Sequence, residues 1–197
     1  MKKHRVKLSR ADHMLFKPMR FILSAMAKIE GRYPGLSRLR VEGDTAVATD
    51  GKILHWVTHP LVKKFFIPGE YIIQRNNQEH LWLEKVAGLD EGGVLRYPKW
   101  RKVIPEVSPD IQYFTGDSYR PYRIGCELYR SVGIYVEYTR LQHLLLLDPT
   151  AVQVEWLGKQ RAVLIKVLGT QGDILCRALI RHSNIEPFEV NDCKEIG

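Results

Sequence analysis

Leu39-Arg40-Val41-Glu42-Gly43-Asp44-Thr45-Ala46-Val47-Ala48-Thr49-Asp50-Gly51-Lys52-Ile53-Leu54 is the stretch whose reading decides the fold. Two pairs, Gly43-Asp44 and Asp50-Gly51, punctuate it. Glycine next to aspartate suits the positive φ of tight hairpin turns. Short runs containing Val, Thr and Ile flank both pairs, and such β-branched residues favour strands. The spacing predicts strands over 37–42, 45–49 and 53–58, joined by turns into an antiparallel meander.

Upstream, residues 4–8 alternate in polarity and read as a strand. Ser9 is suited to cap a first helical turn, and Pro18 to the first turn of a helix over 18–29. In that helix Ile22, Ala25, Met26 and Ile29 recur on one side, and Lys17, Arg20, Ser24 and Lys28 on another. Gly31 is placed to end it. Downstream, 65–68 and 71–74 read as short strands. Gly88, Gly92-Gly93, Pro98, Pro105, Pro109, Gly116 and Pro121 make 75–130 a region of loops and short strands. Then come a strand over 134–136 and a helix over 138–147, with Leu141, Leu144 and Leu145 on one side and Arg140 and His143 on the other. Asp148-Pro149 stops it, and strands follow over 151–157, 162–168 and 173–180. The expected class is α+β: antiparallel sheets with two helices on one face, from a strand-helix-strands unit written twice. It is one domain over 1–190, with an insertion at about 75–130 and a frayed tail at 191–197.

A chain of 197 residues is one ordinary domain, long enough to bury a core without staples. Its longest leucine run, Leu144-Leu145-Leu146-Leu147, falls far short of the ~20 apolar residues of a membrane span. No apolar core follows the basic N-terminus, so no secretion signal and no membrane partner are expected. Cys126, Cys176 and Cys193 are far apart and odd in number, which reads as reduced thiols in a cytoplasm. The net charge is +8. Residues 1–40 hold eleven Lys or Arg against Asp12 and Glu30, a local +9, and the remainder carries −1. Such asymmetry points to a polyanion, with nucleic acid the commonest case.

Three stretches resemble the bacterial DNA polymerase III beta sliding clamp family. The first is Arg32-Tyr33-Pro34-Gly35-Leu36, Leu39 to Asp44 and Ala46-Val47-Ala48-Thr49-Asp50-Gly51, similar to the family's aromatic loop, strand and "ATDG" turn. The second, Tyr97-Pro98-Lys99-Trp100-Arg101-Lys102-Val103-Ile104-Pro105, is similar to its "FPDYRRVLP". The third, 135–185, follows the helix and terminal strands of a clamp domain. The resemblance spans about 5–106 and 133–185. Two departures stand out. The "YPKWRKVIP" stretch precedes the second helix-strand unit instead of following it, and Lys52-Ile53 stand where the family has His-Arg.

The resemblance implies a non-enzymatic protein of DNA replication or repair that meets duplex DNA through its helices, and a mobile-element origin fits that reading. The implied DNA-binding residues are Lys17, Arg20, Lys28, Arg32, Tyr33 and Arg140. It also implies a groove for clamp-binding peptides of polymerases, using Leu36, Thr49, Gly51, Lys52, Ile53, Leu54, Pro98 and Val103. A ring would need self-association into a homo-oligomer. An adaptor or decoy that binds such peptides without encircling DNA is the alternative, and a nuclease is another. For the last, Asp110, Asp117, Glu127 and Glu137 form no cluster in sequence. No metal or cofactor is expected. His55 and His59 have metal-ligand spacing, but in a strand they would lie ~13 Å apart. No Gly-rich phosphate loop appears.

Overall fold

The computed structural model describes residues 4–11, 13–28, 34–86, 97–104, 111–115, 120–147, 149, 151–157, 162–168 and 174–181. The predicted meander is present as β2 (Leu39–Glu42), β3 (Thr45–Thr49) and β4 (Ile53–Thr58). Gly43 and Gly51 both adopt positive φ, 62° and 90°, as the two turns require. The second turn is bonded from within. Asp50 Oδ1 accepts from the Lys52 and Ile53 amides, both at 2.8 Å, and Thr49 Oγ1 accepts from the Gly51 amide and donates to the Ile53 carbonyl.

Around this meander the chain adds β1 (Arg5–Ser9), α1 (His13–Leu23), α2 (Pro60–Phe65), β5 (Gly69–Asn76) and β6 (His80–Lys85). The second part holds β7 (Ile111–Thr115), α3 (Pro121–Val132), α4 (Tyr138–Leu141), β8 (Ala151–Leu157), β9 (Ala162–Leu168) and β10 (Ile174–Arg181). All described strands join one antiparallel sheet in the order β1-β6-β5-β2-β3-β4-β10-β9-β8-β7. The strand-helix-strands unit recurs, as β1-α1-β2-β3-β4 and as β7-α3-α4-β8-β9-β10. The two halves meet where β4 pairs with β10, from Arg177↔Trp56 to Ile180↔Ile53.

The helices lie on one face. Phe21 and Ile22 of α1, Val62 of α2, Ile124 and Leu128 of α3 and Leu141 of α4 share one core with Val41, Ala46, Ile53, Val57, Val163, Ile165 and Ile180. Successive strand residues point to opposite faces, so Val47, Leu54, Trp56, Leu164 and Leu179 form a second cluster on the outer face. Trp100, in a 3-10 turn (Trp100–Val103), covers that cluster. Tyr97 Oη donates to the Val47 carbonyl at 3.1 Å, and Arg101 pairs with Glu42 at 3.1 Å. The 97–104 segment is thereby fixed across the outer face.

Several expectations are corrected. Ser9 is the last residue of β1. The first helix starts at His13 and stops at Leu23, so Pro18 is interior and Lys28 lies beyond the helix. Pro18 leaves the Met14 carbonyl without a helical donor, at a turn whose side chain is exposed to solvent. The strand expected over 65–68 is absent: Phe65 ends a helix over 60–65, begun by Pro60 in its first turn and by His59 Nδ1 accepting from the Leu61 amide, and 66–68 are irregular. Residues 134–136 are irregular, and the helix over 138–147 is one short α segment followed by a 3-10 turn (Gln142–Leu146). The 75–130 region carries short strands and, unexpectedly, the twelve-residue α3. Cys126 is disulfide-bonded, against the expectation of three reduced thiols, and Cys176 is free and buried. Spacing in sequence does not report thiols that a fold brings together. Ile29, Gly31, and the tail at 191–197 lie outside the described residues.

Candidate functional site

The basic excess of the first forty residues is divided among three places. Arg5, Lys7 and Arg10 belong to β1 and its end, with Arg5 paired to Glu84 at 2.8 Å and Arg10 to Glu79 at 3.5 Å. Arg38 and Arg40 are neutralised by Glu70 and Glu42, at 3.0 and 3.4 Å. Lys17 and Arg20 lie on α1, and Lys28 lies just beyond its end. Lys28 is exposed, and Lys17 and Arg20 are partly so. The Arg20 guanidinium lies 5.8 Å from the Phe16 ring, which holds it against the helix. Arg32 and Tyr33 lie outside the described residues.

Arg140 sits differently. Its guanidinium makes two bonds to the Glu137 carboxylate, at 3.0 and 3.1 Å, and donates to the Arg181 carbonyl at 2.9 Å. It latches α4 to the end of β10. Arg181 in turn donates its amide to the Lys52 carbonyl, so the latch reaches the Asp50-Gly51 turn.

The candidate peptide set splits across the sheet. Leu54 faces the outer cluster, whereas its neighbour Ile53 faces the helix-side core. Thr49 is buried and holds the turn, and Gly51 and Lys52 are exposed at its tip. A Cβ on Gly51 would stand 3.8 Å from Leu36, so these two are adjacent. Pro98 and Val103 are exposed on the 97–104 segment, Val103 at 54%. Residues absent from the sequence-based set, namely Val47, Trp56, Leu164, Leu179 and Trp100, make up most of the buried outer cluster that holds Leu54. Strand alternation within the meander could have found Val47 and Trp56. Leu164 and Leu179 arrive only through the pairing of β4 with β10.

Behind the turn, at the junction of the halves, His55 is fully buried. Its ring stacks on Phe21 at 4.1 Å and meets His143 edge-on at 5.6 Å. Nδ1–H donates to the Phe21 carbonyl at 2.9 Å, which fixes the tautomer. Burial pushes the His55 pKa down to about 3, outweighing the Phe21 bond that favours the charged ring. Burial lowers the His143 pKa too, against the pull of Asp50. Burial also raises the Tyr97 hydroxyl above its usual range, with Glu70 adding to the effect.

Among the described residues, no group of three His, Cys, Asp or Glu is placed to hold a metal. His59 is a helix cap, away from the buried His55 stack. Glu127 pairs with Arg130 and Glu137 with Arg140, and Asp110 and Asp117 lie outside the described residues. No described helix is long and apolar enough to cross a membrane.

No protein-family model matches the sequence, and no curated protein does. Solved structures do. The DNA polymerase III subunit beta of Pseudomonas aeruginosa matches at 16% identity and a TM-score of 0.53, over 91% of this chain and 66% of that one. The beta chain of Streptococcus pneumoniae matches at 14% and 0.56, over 94% and 66%. The DNA polymerase sliding clamp of Bacillus subtilis matches at 14% and 0.55, over 94% and 65%. At such identities the likeness is one of fold. The chain has the α+β fold of bacterial sliding clamps and spans about two thirds of their length.

Proposed function

We propose that this protein is a non-enzymatic, DNA-associated clamp-like protein that meets the duplex backbone through the α1 side of its sheet. The carrying observation is geometric. All described helices pack on one face, and the uncovered side of α1 and its end present Lys17, Arg20 and Lys28. Phosphate contacts of this kind need no base recognition. Arg32 and Tyr33 are proposed to extend the surface. Arg140, whose charge Glu137 compensates, adds less to the field a phosphate meets. The matched structures are polymerase beta subunits and sliding clamps, which supports a role in replication or repair. Self-association into a ring, a cytoplasmic location and a mobile-element origin belong to the same proposal.

The test combines light scattering with binding to linear duplex over a salt series. Replacing Lys17, Arg20 and Lys28 by Glu is expected to reduce the slope of log affinity against log salt by roughly 2 to 3, with the thermal transition unchanged. Unchanged affinity in that variant refutes the assignment of the face.

A second reading is favoured by the outer cluster. Val103 and Pro98 are exposed on the 97–104 segment, whose Trp100 covers the buried Leu54, Trp56, Leu164 and Leu179, and these two apolar side chains are suited to meet an aliphatic anchor of a peptide. Here the chain is an adaptor or decoy for clamp-binding peptides. A monomer that binds such a peptide tightly and shows no salt-sensitive DNA affinity would decide for it.

A further inference from the structure

We propose that the outer face of β1, β6 and β5 is a second nucleic-acid surface, which takes a single strand with Trp82 as its stacking platform and Lys7 and Arg75 on the phosphates. It lies on the opposite side of the sheet from α1 and does not depend on the duplex reading. The register makes the site. Lys7 pairs across from Trp82 on one side, and Arg75 on the other. The three side chains therefore form one row across three neighbouring strands. Lys7 Nζ lies 4.8 Å from the indole centre and the Arg75 guanidinium 5.0 Å. Both cations are exposed and the indole is half-buried. With strands about 4.8 Å apart, the two cations stand on the order of 10 Å from one another. Their long stems bring them within reach of the phosphates on either side of one stacked nucleotide.

Charge separates this row from the rest of the outer face. Over β2 the cations Arg38, Arg40 and Arg101 are matched by Glu42 and Glu70. At β1 and β6, Glu84 is held by Arg5 and Glu79 by Arg10. Lys7 and Arg75 contact the indole and pair with no carboxylate among the described residues. Two uncompensated cations ordered by one aromatic ring are built for an anionic chain that also carries flat rings. An acidic peptide meets the charges but leaves the indole unused. A base stacked on Trp82 is a stronger contact than an exposed cation over the ring. One cation is displaced from the indole as the base arrives and moves to the adjoining phosphate, so stacking and charge pairing both increase.

The experiment is fluorescence anisotropy on the full chain, with a labelled oligothymidylate and a labelled duplex in parallel. Thermal melts accompany every variant. Trp82→Leu is expected to weaken oligothymidylate binding about tenfold, with Trp82→Phe retaining most of the affinity. The double variant Lys7→Glu, Arg75→Glu touches only exposed side chains, and keeps the test sound if Trp82→Leu melts early. It is expected to weaken the single strand and to lower its salt slope by roughly 1 to 2, while duplex binding stays as in the parent. Trp82 fluorescence, isolated by difference against Trp82→Phe, should be quenched by the oligonucleotide. The proposal is overturned if the double variant binds oligothymidylate as the parent does, or loses duplex and single strand equally. It is also overturned if polyglutamate displaces the strand as readily as unlabelled polythymidylate, since the surface then reads charge alone.

Discussion

Lowering the pH from about 7 to about 5 should cost the fold roughly 2 kcal/mol through His55 alone. The ring is fully buried, stacked on Phe21 at 4.1 Å, with Nδ1–H given to the Phe21 carbonyl. Its pKa falls to about 3 in the fold, against about 6.5 in the unfolded chain. Between those two values the unfolded state binds a proton that the native state refuses. Stability therefore rises with pH through that window and is lost on acidification, by about 5 kcal/mol in the limit below pH 3. For a chain of this length the loss at about pH 5 corresponds to a melting temperature lower by about 4–8 °C. Urea denaturation over a pH series reads the effect directly. His55→Phe is the control, because it keeps a ring on Phe21 and removes the titration. Ser24 Oγ still donates to the Phe21 carbonyl in that variant. The remaining acid sensitivity then belongs to His143, which burial shifts in the same direction. A parent whose stability is flat over the window, or a His55→Phe variant as acid-sensitive as the parent, refutes the reasoning.

Two further perturbations test the architecture. Trp100→Ala removes the indole with which the 97–104 segment covers the outer cluster and should destabilise by about 3–5 kcal/mol in urea denaturation, with Trp100→Phe recovering part of it. Gly51→Ala should cost about 1–2 kcal/mol in melting experiments, because a side chain at φ 90° is strained. The new methyl itself would meet Leu36 at an ordinary 3.8 Å.

The β2–β3–β4 meander and β8–β9–β10 were legible because each rests on local alternation between turn residues. The helix α3 was not. Gly125 in its middle and the prolines and glycines before it read as loop, and the better signal was the frame: Pro121 in the first turn and Gly133 in the left-handed cap. Pro18 misled in the opposite direction, since a proline suited to a first turn sits inside α1. The sheet's outer cluster was half legible. Alternation alone separates Ile53 from Leu54 and joins Leu54 to Trp56. Leu164 and Leu179 reach them through strand pairings between distant segments, which no window of sequence contains. The excess positive charge was visible as a total. Its division among paired arginines, α1 and the β1 edge depends on which carboxylate each cation meets.

The β4–β10 junction also sets an order of events as the chain is made. Trp56 and its partner Arg177 are separated by more than a hundred residues. Until β10 has been synthesised, β4 has an open edge, and the His55 and Ile53 side of the meander lacks the neighbours supplied by β10 and the 3-10 turn at His143. A nascent chain therefore carries an unpaired apolar edge while the more than one hundred residues between β4 and β10 are added, a period of exposure to misassociation. The fold closes by capturing its last described strand, and closure completes the buried histidine pair, the Arg140 latch and the outer apolar surface together.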